Sequence, residues 1–268
     1  IGMFSPGTGI PILNKEQIIR EVTPIGNGAH VFAPKEWIGE KILIIRAPRP
    51  PLKSRILKIL EPYLENILGV YLYGSYARGE QRQDSDIDLL VISNKKFKIK
   101  EKGFGIIILK ADEIKEAIKI APVLMYSALT EAKPIINSKL LNELKKNYKP
   151  KVQDFKEYIK ETKNIININE ELLSPYSIIL RLRGIYIIEK LLFGKNYSYA
   201  EFKKWVLKDA ENEGIKANFD NAYYVYIKIK NDLKANINEN DFKTLLLILK
   251  NKTKKLEKKI YGQEKKET

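Results

Sequence analysis

The stretch that decides the fold covers residues 70–91 and reads VYLYGSYARGEQRQDSDIDLLV. It begins with an apolar run that is typical of a buried strand and continues through Gly74 and Ser75 into a short helical turn. Ten residues separate Ser75 from Asp86, and the pair Asp86 and Asp88 opens a second apolar run. The pattern therefore predicts a strand, a tight turn and a second strand that carries two carboxylates.

Each part of this stretch suits the binding of a polyphosphate together with a metal ion. Glycine lacks a Cβ, so a phosphate can approach the backbone at Gly74, while Ser75 adds a hydroxyl at a helix N-terminus whose dipole favours anions. Side chains alternate along a strand, so Asp86 and Asp88 share one side of the sheet while Ile87 faces the core. Two carboxylates this close repel each other unless a cation lies between them, and oxygen ligands beside a triphosphate select Mg²⁺.

The spaced combination of Gly-Ser-x-Ala-Arg-Gly-Glu and Asp-Ser-Asp-Ile-Asp-Leu-Leu-Val resembles the signature of the polymerase-β-like nucleotidyltransferases, especially the minimal nucleotidyltransferases of archaea and bacteria. The resemblance implies transfer of a nucleoside monophosphate from an NTP, with ATP the expected donor, to an acceptor hydroxyl or phosphate with release of pyrophosphate. It also implies Mg²⁺ as cofactor, with Mn²⁺ as an alternative. The implied site has six residues: Gly74, Ser75, Arg78 and Ser85 for the nucleotide, and Asp86 and Asp88 as catalytic metal ligands.

One departure from this family concerns a third carboxylate, which active members usually carry on the following strand. Here residues 103–110 read GFGIIILK without an acid, and Gly105 stands at the expected position. Asp112 is predicted to cap a helix that runs through Ile120, with Glu113 in its first turn. Three consequences stay open: weak or absent catalysis, a base supplied by the substrate, or a nucleotide-binding protein that does not transfer.

Changes in composition along the chain predict an α+β fold with three domains. Residues 10–47 form an N-terminal β-hairpin module, and residues 52–147 form the nucleotidyltransferase domain, a small mixed sheet with helices on one face. Residues 151–268 form an all-helical bundle for substrate binding or interaction. A proline-rich linker is expected at residues 47–51. The predicted elements of the second and third domains are a helix over 52–60, strands over 69–73, 87–93 and 104–109, and helices over 152–166, 174–193, 199–210, 219–233 and 241–260.

Within the first domain, strands are expected over residues 18–22 and 41–45, with a hairpin turn at 26–28. Residues 23–39 read TPIGNGAHVFAPKEWIG, which is similar to a short archaeal, transposon-associated family related to AbrB-type swapped-hairpin modules. That resemblance implies a module that forms a homodimer and contacts DNA. The alternative is a structural hairpin in which His30 and Trp37 pack into a small core.

The composition of the chain excludes some classes of function and favours others. The chain has 48 Lys and Arg against 33 Asp and Glu, a net charge of +15, which favours polyanionic partners such as RNA but is also common in lysine-rich proteomes. It has no cysteine, which excludes disulfides and thiolate chemistry, and a single histidine, His30. No run approaches the roughly 18 apolar residues of a membrane span, so the protein is expected in the cytoplasm without a membrane partner.

The leading hypothesis is a Mg²⁺-dependent nucleotidyltransferase whose acceptor is RNA, with a protein or a small molecule as alternatives. The second hypothesis is a catalytically inactive protein of this fold that acts as a nucleic-acid-binding or antitoxin-like module. A third, an enzyme of the aminoglycoside-modifying type, predicts an acidic acceptor pocket. In the helical domain, one group of side chains either contacts a nucleic-acid acceptor or belongs to the core: Tyr176, Arg181, Arg183, Tyr186, and the tyrosines of residues 223–226.

Overall fold

A computed structural model of the chain describes residues 18, 20, 22–44, 50–82, 85–212 and 218–267. The chain divides into two compact units, residues 1–49 and residues 50–268. No helix in the described part is both long enough and apolar enough to cross a membrane.

The first unit contains a two-stranded antiparallel hairpin, which confirms the predicted turn. Strand β1 (Thr23–Ile25) pairs with β2 (Gly28–His30) around a turn at residues 26–27. The predicted strands over 18–22 and 41–45 are wrong for the described residues there, because a two-stranded sheet offers them no further partner. Residues 45–49, which include most of the predicted linker, lie outside the described residues.

The described part of the first unit has no buried residue, so the predicted small core is absent from it. His30 is half-buried, lies 3.1 Å from the hydroxyl of Thr23 through Nε2, and meets the ring of Phe32 edge-on. Large apolar side chains such as Ile38 and Leu43 are about four-fifths exposed.

The second unit is built on a four-stranded mixed sheet, as predicted. Its strands are β3 (Ile67–Tyr73), β4 (Ile87–Ser93), β5 (Phe104–Lys110) and β6 (Lys133–Ile136), in the order β5-β4-β3-β6. Strand β3 is antiparallel to both of its neighbours, whereas β4 and β5 run parallel.

Both faces of this sheet are apolar, so the prediction of helices on one face only is wrong. On β4, Ile87 and Leu89 belong to one buried cluster and Leu90 and Ile92 to the other. Central strands that are apolar on both sides need cover on both sides. The covering helices are α1 (Leu52–Leu60) on the first face, and α3 (Ile114–Ile120), α4 (Pro122–Glu131) and α5 (Ser138–Asn147) on the second. A five-residue helix, α2 (Gly74–Arg78), follows β3 directly.

The prediction that Asp112 caps the helix ending at Ile120 is also wrong. Asp112 lies in a 3₁₀ turn before α3, and its carboxylate accepts a hydrogen bond from Lys110 Nζ at 2.9 Å. Glu113 accepts the backbone N–H of Lys110 at 3.2 Å. Both acids therefore serve the turn between β5 and α3.

The rest of the second unit is a helical bundle, as predicted. Its central helix is α7 (Pro175–Leu192), which packs against α4 of the sheet region. Most of the circumference of α7 is buried, with residues such as Ile178, Leu182 and Ile185 in the core. The helices are α6 (Lys156–Leu172), α7 (Pro175–Leu192), α8 (Tyr199–Asn212), α9 (Phe219–Lys230) and α10 (Glu239–Glu267).

Candidate active site

Asp88 is positioned by the register of the sheet. It lies opposite Tyr73 on β3 and opposite Gly105 on β5. A Cβ on Gly105 would come 2.7 Å from Oδ1 of Asp88, and a Cβ on Gly74, whose φ is +71°, would collide with Oδ2. The half-buried carboxylate therefore occupies a cradle that exists only because two neighbouring residues are glycines.

All six predicted site residues line one cavity of about 850 Å³ between the sheet region and the helical bundle. We call this cavity the cleft. Asp86 directly precedes β4 and is exposed, while Gly74 and Ser75 open α2 at the end of β3. The hydroxyl of Ser85 accepts a hydrogen bond from the backbone N–H of Arg82 at 2.8 Å, and both residues line the cleft.

The pKa of Asp88 depends on its partial burial and on nearby charges of both signs. Burial raises the pKa of Asp88 to about 6, and the nearby Asp86 carboxylate acts in the same direction. Lys230, Arg183 and Arg78 oppose this rise. A further positive charge next to Asp86 and Asp88 would stabilise the ionised form of both carboxylates.

In the part of the chain that the structure describes, no third acidic side chain joins Asp86 and Asp88 in a group that could hold a metal ion. Gly105 lies on the strand next to Asp88, where the sequence comparison expected an acid. Among the described residues, no three His, Asp or Glu side chains form a group that could hold a metal ion. Two carboxylates therefore lie at this edge of the sheet, Asp86 just before β4 and Asp88 on it.

Arg78 is occupied by contacts within the protein. Its Nε lies 2.9 Å from Glu80 and its Nη1 lies 2.5 Å from the buried Glu131 of α4, while its guanidinium stacks on the ring of Tyr197. Glu80 in turn accepts the backbone N–H of Tyr199, at the start of α8. Arg78 therefore joins α2, α4 and the helical bundle at the cleft wall.

Two cations on the opposite wall have no acidic partner within 4 Å in the described part of the chain. They are Arg183 of α7 and Lys230 at the end of α9. The Nε of Arg183 is buried without a hydrogen-bond partner, and its guanidinium lies 4.8 Å from the centre of the Tyr197 ring. A buried cation that lacks an acidic partner is stabilised when an anionic ligand binds next to it.

The comparison with known families decides the identity of the second unit. The family model described as nucleotidyltransferase domain matches residues 53–190, which is 138 of the 268 residues. The chain belongs to the nucleotidyltransferase domain family. Strand β3, the two aspartates, Glu131 and Arg183 all lie within the matched range. A second family, described as "Putative transposon-encoded protein (DUF2080)", matches residues 16–45. The relation of that module to AbrB-type proteins, and the homodimer it implies, stay predictions.

The chain is similar, at low sequence identity, to several solved structures. Spectinomycin adenyltransferase from Enterococcus faecialis, crystallised with ATP and spectinomycin, is 18% identical with a TM-score of 0.45, over 75% of this chain and 97% of that one. A nucleotidyltransferase-like protein from Exiguobacterium sibiricum is 12% identical with a TM-score of 0.32, over 81% of each chain. A toxin-antitoxin structure with AMP-PNP is 17% identical with a TM-score of 0.28, over 46% of this chain and all of that one. No curated protein matches the chain.

The aromatic residues singled out in the helical domain of this nucleotidyltransferase divide among core, cleft and surface, and the exposed ones are Tyr176 and Tyr224. Tyr186 is buried against Phe202 and Trp205, which agrees with the core interpretation. Tyr223 and the buried Tyr226 line the cleft. Sequence reasoning singled out Arg183 only as a nucleic-acid contact and missed Lys230, because a lysine at the end of a helix carries no distinctive signal.

The cleft is balanced in charge, although the whole chain carries +15. Among the described residues, seven acidic and six basic side chains line it. The excess of positive charge therefore lies elsewhere on the protein. The acidic side chains are Glu80, Asp86, Asp88, Glu131, Asp154, Glu157 and Glu161, and the basic ones are Arg78, Arg82, Lys119, Arg181, Arg183 and Lys230.

Proposed function

We propose that this nucleotidyltransferase transfers a nucleoside monophosphate from an NTP to an acceptor hydroxyl. The acceptor oxygen bonds to the α-phosphorus while the bond from that phosphorus to the bridging oxygen breaks, and the electron pair leaves with pyrophosphate. The hydroxyl proton passes to solvent, because strand β5 supplies no carboxylate. The observation that carries the proposal is the Asp88 carboxylate, cradled by Gly74 and Gly105 at the cleft wall beside Asp86.

The two carboxylates fit Mg²⁺, with Mn²⁺ as an alternative. Mg²⁺ is usually held by one or two carboxylates together with phosphate oxygens and water. Neither Asp86 nor Asp88 has an ion-pair partner within 4 Å in the described part of the chain, so both are available as ligands. When bound, the metal would withdraw negative charge from the attacking and leaving oxygens.

We assign the phosphates of the donor to both walls of the cleft. Gly74 and Ser75 supply the sheet side, as the resemblance implies, and the unpaired Arg183 and Lys230 supply the helical side. Hydrogen bonds between such cations and phosphate oxygens are stronger than hydrogen bonds between neutral groups. Arg78 serves as a positioning residue in this assignment, because Glu80 and Glu131 already occupy its guanidinium.

The base of the donor has a candidate platform at the edge of the cleft. The guanidinium of Arg82 lies 5.4 Å from the ring centre of Tyr199 and 5.7 Å from that of Tyr223. Aromatic rings and arginine planes stack on nucleobases without strong preference for one base. ATP is the donor we expect, and a panel of the four NTPs tests it.

RNA is the acceptor class we favour, because the protein is strongly basic. The balanced charge of the cleft means that an RNA acceptor would have to contact a basic surface outside it. A small cationic acceptor would instead make its main contacts with carboxylates inside the cleft.

A second candidate function is favoured by Gly105. Without the third carboxylate, the protein could bind a nucleotide and a nucleic acid without transfer, as an antitoxin-like or regulatory module would. This candidate predicts metal-dependent nucleotide binding with no covalent product.

The experiment that separates the two functions uses α-labelled NTPs with Mg²⁺ or Mn²⁺ and total RNA. The wild-type protein is compared with Asp88→Asn and with a matched control, Asp112→Asn, whose carboxylate lies outside the cleft. Label that is transferred by the wild type and the control, and lost in Asp88→Asn, supports transfer. Nucleotide binding without label in any product would overturn it.

A further inference from the structure

A row of lysines follows the connection between β4 and β5. We call it the lysine track; it consists of Lys95, Lys96, Lys98, Lys100 and Lys102 in residues 94–103. All five are exposed. Phe97 and Ile99, which alternate with them, are half-buried and pack against the buried cluster beneath α1. The alternation directs the lysines between them towards solvent.

The neighbouring helix α1 extends this basic surface. It contributes Lys53, Arg55 and Lys58, and the guanidinium of Arg55 lies 5.7 Å from the ring centre of Phe104 at the start of β5. Together α1 and residues 94–103 carry eight basic side chains and one acidic side chain, Glu101. This ratio contrasts with the cleft, where the two signs are balanced.

Most lysines of the track are unpaired. Lys96 forms an ion pair with Glu113 at 2.6 Å, and the other four have no acidic partner within 4 Å in the described part of the chain. Glu61 and Glu65 belong to the 3₁₀ turn after α1, whose Tyr63 stacks on Phe97. These two acids therefore flank the beginning of the track, whereas Glu101 is the acidic side chain of its later part.

The path of the track leads to the catalytic edge of the sheet. Residues 94–103 leave the end of β4 after Ser93 and return to its beginning, where the carbonyl of Gly103 accepts the N–H of Ile87 at 2.9 Å. Ile87 stands between Asp86 and Asp88. The six residue steps of β4 correspond to about 20 Å, which is long enough for several phosphates of an extended strand.

We propose that the lysine track binds the phosphate backbone of single-stranded RNA and leads its end over the sheet edge into the cleft. This inference rests on the proposed transfer reaction and names the surface that recognises its acceptor. Binding is expected to be independent of base sequence, because contacts between lysines and phosphates carry no sequence information. Phe97, which lies between the lysines, is already stacked on Tyr63.

The test measures binding of a fluorescent single-stranded RNA by anisotropy, without nucleotide or metal, over a range of KCl concentrations. Lys98→Glu/Lys100→Glu is compared with Lys254→Glu/Lys258→Glu on α10, which makes the same charge change at two exposed lysines without acidic partners in the described part. We expect the track variant to weaken binding at least tenfold and to lower the slope of log K against log[KCl] by about 1.4. The α10 variant should change affinity less than about twofold.

Equal weakening by the two variants would overturn the proposal, because it would show a response to net charge alone. Failure of the wild type to bind RNA, with binding to vesicles of equal phosphatidylserine and phosphatidylcholine or to an acidic protein instead, would also overturn it. Thermal unfolding of both variants checks that they are folded. Because binding is measured without transfer, failure here is distinct from failure of the proposed reaction, which Asp88→Asn reports separately.

Discussion

The cleft and the lysine track use charge in opposite ways. In the cleft, acidic and basic side chains are nearly equal in number, and several are paired at close range, as Arg78 is with Glu80 and Glu131. On the track most cations are exposed and unpaired. Charges held in fixed positions in a half-buried cleft act strongly on the reacting groups. Unpaired charges on the surface mainly raise the affinity for a polyanion, in a way that depends on salt. Changes in the two regions should therefore separate catalysis from acceptor binding.

The largest expected effect is on the cleft side of this comparison. Asp88→Asn removes one charge of the carboxylate pair, and we expect the rate of transfer to fall by about a thousandfold. Affinity for single-stranded RNA should stay within about twofold, because the track is unchanged. Parallel measurements of kcat and of anisotropy check both statements. A loss of RNA affinity comparable to the loss of rate would show that the two regions are not separable.

Arg183→Ala tests whether the helical wall binds the donor. Loss of an unpaired cation that contacts phosphate should raise the KM for NTP by about tenfold to a hundredfold. Arg181→Ala is the matched control, since Arg181 lies on the same helix and lines the cleft but stacks on Tyr158 and lies 3.5 Å from Glu161. Equal effects of the two substitutions on KM would contradict the assignment.

Gly105→Ala tests the cradle of Asp88. The new methyl group would lie 2.7 Å from Oδ1 of Asp88, so the carboxylate must shift. We expect kcat to fall by about tenfold with little change in thermal stability. The control is Ala111→Gly, which lies outside the cradle. Gly103→Ala is unsuitable as a control, because the φ of Gly103 is +79° and an alanine there would be strained. Unchanged kcat in Gly105→Ala would show that the position of this carboxylate is not critical.

The smallest effect on rate is expected from Glu131→Gln, which leaves Arg78 with one charged partner. Because Glu131 is buried, the free energy of unfolding should fall by about 2 kcal/mol, and kcat should fall a few-fold through movement of α2. Urea unfolding and steady-state kinetics measure the two changes. Glu157→Gln, at an exposed carboxylate of the same cleft, should alter neither. A stability equal to that of the wild type would contradict a structural role for the Arg78 pairs.

Local sequence patterns predicted the parts of the fold that depend on neighbouring residues. Strand β4 lies over residues 87–93 as its apolar run indicated, and α7 differs from its predicted bounds by one residue at each end. Strand β6 and helices α4 and α5 were not predicted. Strand β6 is a four-residue edge strand that contains Pro134, and α4 is apolar on most sides, so neither has a clear period. Helix α5 is amphipathic and was missed.

The candidate site was predictable only on its sheet side. Asp86, Asp88 and the Gly-Ser turn are close in sequence. The glycine at position 105 already indicated that the third carboxylate of the family is missing here. Arg183 and Lys230 are distant in sequence from them, and only tertiary packing brings their helices to the cleft. The lysine track was not recognised because exposed lysines are common, and its direction becomes apparent only from the parallel register of β4 and β5.

The most direct test of the division between the cleft and the track is the rate of labelled transfer to RNA, measured as a function of RNA concentration. The comparison uses the wild type, Asp88→Asn and Lys98→Glu/Lys100→Glu. We predict that Asp88→Asn lowers the maximal rate by about a thousandfold, while the lysine variant keeps that rate and raises the half-saturating RNA concentration by about tenfold or more. A lysine variant with a lowered maximal rate and an unchanged half-saturating concentration, or an active Asp88→Asn, would contradict this division.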